Sequence, residues 1–61
     1  MTVEVATLTA LVAELEAEVA ALLSAAKHEP DREGKIEMRA EANGVRIAAS
    51  RLRALISRVS P

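Results

Sequence analysis

Apolar residues recur in this sequence at alternating intervals of three and four residues, and this spacing restricts the fold more than any other feature. In the first half of the chain the series is Val5, Leu8, Val12, Leu15, Val19, Leu22 and Ala26. A heptad series of this kind places all its members on one side of an α-helix. It predicts a first helix over about residues 3–28, with Thr2 as N-cap and Glu4 in the first turn, where the helix dipole favours an anion.

Pro30 separates this series from a second one. Proline cannot continue the helical hydrogen-bond ladder, and it pushes the preceding residue out of the helical region. The same intervals return at Met38, Ala42, Val45, Ala49, Leu52, Ile56 and Val59. They predict a loop over about residues 29–32 and a second helix over about residues 32–59, with Pro30 in its first turn.

The dipeptide Asn43-Gly44 lies inside the second series, although such a pair is typical of turns and helix ends. The apolar spacing runs from Ala42 to Val45 without a change of phase, which favours a continuous helix. One exposed glycine costs about 1 kcal/mol in a helix, which packing can offset. The alternative is a break at 43–44 that divides the chain into three helices.

The charges differ between the two predicted helices. Residues 1–26 carry four glutamates and no lysine or arginine, whereas residues 31–61 carry seven basic and four acidic residues. This contrast and the short connector favour antiparallel neighbours over a parallel dimer of isolated helices, which the Val and Leu order of the first helix would also suit. Folding the chain back at residue 32 aligns positions whose numbers sum to 64, and brings Glu16 near Arg46 and Leu11 near Leu55.

The predicted fold is therefore all-α: an antiparallel, coiled-coil-like two-helix hairpin that forms a single domain over residues 1–61. A hairpin of this size, without a disulfide, buries too little surface to be stable alone. We expect it to associate into a four-helix bundle, with a homodimer favoured, or into a larger helical assembly. The heptad positions form the predicted self-association seam. Small residues recur beside them, and a second interface is predicted at Leu11, Leu23, Ile36, Ile47 and Leu55.

The composition excludes several kinds of catalytic and binding site. The chain has no cysteine and no aromatic residue, which excludes thiol catalysis, cysteine-ligated metals and aromatic stacking of bases. His28 stands alone in a charged loop without a recognised metal-ligand spacing, and Glu14 and Glu18 lack the Glu-x-x-His motifs of di-iron bundles. We expect no enzyme activity, no catalytic or metal-binding residue, no cofactor and no small-molecule substrate.

The sequence therefore predicts a non-enzymatic structural or interaction protein that self-associates or docks on a larger protein assembly. The rival hypothesis is a small nucleic-acid-binding regulator that contacts phosphates through Arg46, Arg51, Arg53 and Arg58. Arginine recurs every seven residues from Arg32 onwards, although flanking arginines can equally pair with glutamates of the other helix. Without a basic, apolar N-terminal leader or a membrane span, the expected location is the cytoplasm or a virion, in soluble form and without membrane contact.

Overall fold

The computed structural model describes residues 3–59, which form two helices: α1 spans Val3–His28 and α2 spans Arg32–Val59. A helix of 28 residues is about 42 Å long at 1.5 Å per residue. The molecule measures 46 × 14 × 11 Å, so the two helices lie side by side along nearly their whole length. Because only residues 29–31 connect them, they run antiparallel, and the predicted all-α hairpin is confirmed.

The heptad positions lie between the helices. Val5, Val12, Ala26, Ala42 and Ala49 are buried. Eight further positions of the two series are half-buried: Leu8, Leu15, Val19, Leu22, Met38, Val45, Leu52 and Ile56. Val59 differs, because 56% of its surface is exposed. It is the last residue of α2, at the open end of the hairpin.

The connector explains where α2 begins. Pro30 precedes the helix and is not in its first turn, contrary to expectation, because Asp31 takes the N-cap position. The Asp31 carboxylate accepts a hydrogen bond from the Gly34 backbone N–H at 3.1 Å, and Glu29 Oε1 accepts one from the Asp31 N–H at 3.1 Å. An aspartate that satisfies an otherwise unpaired N–H at this position typically contributes about 1 kcal/mol. The predicted N-cap of α1, Thr2, lies outside the described residues.

The α2 helix continues through Asn43 and Gly44 without a break. No glycine has a positive φ angle within residues 3–59, so Gly44 adopts ordinary helical geometry. A Cβ atom placed on Gly44 would meet no heavy atom within 4 Å. Glycine is therefore not required here by the backbone conformation or by a close contact within the hairpin.

Replacing Gly44 with alanine is expected to stabilise the protein by about 1 kcal/mol, because alanine loses less backbone entropy in a helix. This corresponds to a rise of roughly 4–8 °C in Tm for a domain of this size, measurable by circular dichroism. Gly34→Ala is the matched control, since its Cβ would lie 3.0 Å from Glu29 Cγ and require that side chain to move. A Tm for Gly44→Ala at or below that of the parent would contradict the prediction.

Candidate interaction surfaces

The interior of the hairpin is thin, and much of its apolar surface faces outwards. No large side chain among residues 3–59 is fully buried. Seven large apolar side chains in the same range are at least 40% exposed: Val3, Leu11, Leu23, Ile36, Ile47, Leu55 and Val59. This group contains all five residues of the predicted second interface.

Those five residues do not form one patch. Successive helical residues are about 100° apart, so a residue directly before a seam position, such as Leu11 before Val12, lies on one side of the seam, and one directly after a seam position, such as Leu23 after Leu22, lies on the other. Leu11 of α1 and Leu55 of α2 lie on one flank of the helix pair. Leu23 and Ile36 lie on the other flank, and Ile47 lies on the outer side of α2. The apolar surface is thus divided between the two broad faces of the hairpin.

One broad face is rich in arginine, and we call it the basic face. It carries a line of exposed arginines along α2 at intervals of seven residues: Arg32, Arg39, Arg46 and Arg53. Across the helix pair, Glu16 of α1 forms an ion pair with Arg53. Arg46 Nη2 donates a hydrogen bond of 2.6 Å to Asn43 Oδ1 within α2. Four arginines against one glutamate leave this face positively charged.

The ion pair differs from the expected approach of Glu16 to Arg46, and the tilt of helical side chains explains the difference. Side chains lean towards the N-terminus of their own helix. When the helices are aligned so that the numbers of facing residues sum to 64, Arg53 of α2 lies opposite Leu11 of α1. Glu16 and Arg53 therefore lean towards each other in an antiparallel pair. Arg46 starts level with Glu18 and leans away from Glu16, which leaves it free to bond with Asn43.

Two adjoining grooves run along the basic face. The first, of about 280 Å³, is lined by Glu16, Val19, Arg46, Ala49, Ser50 and Arg53. The second, of about 230 Å³, is lined by Val19, Leu23, Arg39, Ala42, Asn43 and Arg46. Val19 and Arg46 belong to both grooves, so the two are continuous. The floor is apolar and the rim carries guanidinium groups, a combination suited to an amphipathic helix with acidic side chains.

The opposite broad face is acidic, and we call it the acidic face. It carries five glutamates, on α1 and on the half of α2 nearest the connector: Glu4, Glu14, Glu18, Glu37 and Glu41. Arg51 and Arg58 lie on the same face, nearer the open end of the hairpin. Leu11 and Leu55 supply its apolar surface. The whole chain has a net charge of −1, yet its two broad faces carry net charges of opposite sign.

The four arginines of the nucleic-acid hypothesis are not brought together. Arg46 and Arg53 lie on the basic face, whereas Arg51 and Arg58 lie on the acidic face, about 120–160° away around α2. The arginines that do share a line with Arg46 and Arg53 are Arg32 and Arg39. The seven-residue interval signals this grouping in the sequence, because it keeps residues on one side of a helix.

Neither a metal site nor a membrane-crossing helix is found among the described residues. Within residues 3–59 no group of three or more histidine, aspartate or glutamate side chains is placed to hold a metal ion, and Glu14, Glu18 and His28 are all exposed. Neither α1 nor α2 combines the length and apolar character that a membrane-crossing helix needs. Comparison with protein-family models, with curated proteins and with solved structures gave no match to this chain.

Proposed function

We propose that this protein is a non-enzymatic helical interaction module whose hairpins associate with one another. The observation that carries the proposal is the incomplete burial of apolar side chains. Leu11, Leu23 and Leu55 are each 40–45% exposed, and Ile36 is 57% exposed. Covering them with another helix layer gains roughly 25 cal/mol for each Å² of apolar surface removed from water. The heptad seam holds each hairpin together, and these outer residues contact the next hairpin.

The charges around the exposed leucines support the proposal that these leucines contact a protein partner. Each broad face combines apolar side chains with charged residues mostly of one sign, and interaction surfaces commonly have an apolar centre and a polar rim. Small residues such as Ala13, Ala20 and Ala48 are exposed beside these leucines and isoleucines. They allow another helix to approach closely without a bulky side chain in between.

Sedimentation equilibrium over a wide concentration range tests the proposal. We expect species larger than one hairpin to grow with concentration, and Tm to rise in parallel, because association stabilises the folded state by mass action. The Leu11→Gln, Leu55→Gln variant is expected to shift the chain towards monomer. Its matched control, Ala10→Gln with Ala54→Gln, places the same new side chains on adjacent exposed positions away from these faces. A folded parent chain that stays monomeric throughout would overturn the proposal.

A second candidate function, binding of single- or double-stranded nucleic acid, is favoured by the basic face alone. The line from Arg32 to Arg53 presents four guanidinium groups over about 30 Å of helix, and phosphate contacts of this kind bind without sequence preference. Mobility-shift assays at rising salt test it: binding that weakens steeply with salt and is lost in Arg39→Gln with Arg46→Gln would support it. Absence of binding at low salt would remove it.

A further inference from the structure

Contact between two like faces is disfavoured by charge. Two basic faces placed together would oppose eight arginines with only two glutamates, and each Glu16 is already engaged by Arg53 of its own chain. Two acidic faces placed together would oppose ten glutamates with only four arginines, namely Arg51 and Arg58 of each copy. That pairing would also leave both basic faces uncovered. Like-charge juxtaposition of this kind is a strong barrier to association.

Unlike faces match both in charge and in spacing. On the acidic face, Glu4, Leu11 and Glu18 repeat every seven residues along α1. On the basic face, the arginines repeat every seven residues along α2. Both lines therefore advance by about 10.5 Å per repeat, and Glu4 and Glu18 are separated by the same distance, about 21 Å, as Arg32 and Arg46. Aligning one glutamate with one arginine brings the other pair into alignment as well.

We infer that the hairpins assemble through unlike faces, so that the grooves of the basic face on one copy receive the acidic α1 surface of a second copy. This inference rests on the proposed self-association and names its partner and orientation. With the two hairpins antiparallel, α1 of one copy lies over α2 of the next. Glu18 of the second copy then lies over the rim of the groove near Arg46 of the first copy. Leu11 and Leu55 of the second copy lie over the part of the basic face where the first copy exposes Leu23 and Ile36.

An interface between unlike faces does not close on itself in a pair. Each added copy presents a free basic face at one side of the assembly and a free acidic face at the other, as heterologous interfaces do. We therefore expect assemblies larger than a dimer at high concentration. Their formation weakens with added salt, because exposed charges are screened over about 8–10 Å at ionic strengths of 0.1–0.15 M.

Charge reversal on one face at a time tests this arrangement. Arg39→Glu with Arg46→Glu leaves the basic face with three glutamates against two arginines, and Glu14→Lys with Glu18→Lys leaves the acidic face with four basic residues against three glutamates; both pairs of positions are exposed. Neither variant touches the pair formed by Arg53 and Glu16. Each is expected to raise the dissociation constant at least about tenfold by sedimentation velocity, and an equimolar mixture of the two is expected to recover assembly. Circular dichroism of each variant establishes that it is helical.

The matched control is Arg51→Glu with Arg58→Glu, which changes the net charge as much as the arginine variant but makes the acidic face more acidic. It is expected to assemble at least as well as the parent chain. Assembly of either single-face variant at the parent's concentration, or a mixture that stays dissociated, would overturn the inference and leave the proposed function standing. A monomeric parent would overturn both. Parent assembly that disappears on nuclease treatment would assign the basic face to nucleic acid and overturn the inference.

Discussion

Replacing Val12 with aspartate is expected to unfold the hairpin at micromolar concentration. Val12 is 3% exposed, on the side of α1 that packs against α2. The described part of the chain contains no buried polar or charged residue that would pair with a carboxylate there. An uncompensated buried charge costs roughly 3–5 kcal/mol, which is comparable to the whole stability available to a core of this size. Loss of the helical circular dichroism signal measures the effect.

The adjacent residue provides the control. Ala13→Asp introduces the same carboxylate one residue later in the same helix, at nearly the same distance from the helix N-terminus, and it costs more helix propensity than Val12→Asp because alanine is the strongest helix former. Ala13 is exposed, so its carboxylate stays in water and the hairpin is expected to remain folded. Similar unfolding of both variants would show that the loss came from helix propensity or net charge, and would contradict a buried heptad seam at Val12.

The architecture was predictable because one periodic pattern determined several features at once. The spacing from Val5 to Ala26 sets the length of α1 and the side that it buries, and Pro30 sets the position of the turn. The continuity of α2 at Asn43 and Gly44 also followed from this pattern. Packing of Ala42 and Val45 in one phase outweighed the turn preference of the dipeptide between them.

Features that depend on side-chain direction were harder to predict. Counting residues across the hairpin places Arg46 nearer in level to Glu16 than Arg53, yet the ion pair of Glu16 is with Arg53. The correct partner depends on the tilt of each side chain towards its own N-terminus, which a residue count omits. The role of Pro30 also differed from the expectation: α2 begins at Arg32, and the residue that caps it is Asp31, whose carboxylate accepts a hydrogen bond from the Gly34 N–H.

The sequence predicted which exposed apolar residues form the candidate surfaces, but not how these residues are divided between the two broad faces. The exposed leucines and isoleucines stood out because they lie off the heptad seam, and the helical period places Leu11 and Leu23 on opposite sides of that seam. Pairing the helices antiparallel then brings like flanks of α1 and α2 together. The helical period by itself separates Arg46 and Arg53 from Arg51 and Arg58 around α2, and pairing the helices then turns a nearly neutral composition into two oppositely charged faces.

Replacing Ala26 with leucine is expected to destabilise the hairpin by about 1–3 kcal/mol through overpacking. Ala26 is 1% exposed and lies in the last turn of α1, beside the connector of residues 29–31. Because this short connector fixes the distance between the helix ends, the helices cannot move apart there to admit a larger side chain. Helix propensity contributes little to the change, since alanine and leucine are both strong helix formers. Urea unfolding followed by circular dichroism measures the loss.

Ala25→Leu isolates the effect of burial, because Ala25 is exposed in the same turn and the substitution is chemically identical. Its free energy of unfolding is expected to stay within about 0.5 kcal/mol of that of the parent. Equal midpoints for the two variants would mean that the helix ends separate readily, and that the tight approach at Ala26 is not a fixed feature of the fold. A lower midpoint for Ala26→Leu alone would show that the tight approach of α1 and α2 at Ala26 is a fixed feature of the fold.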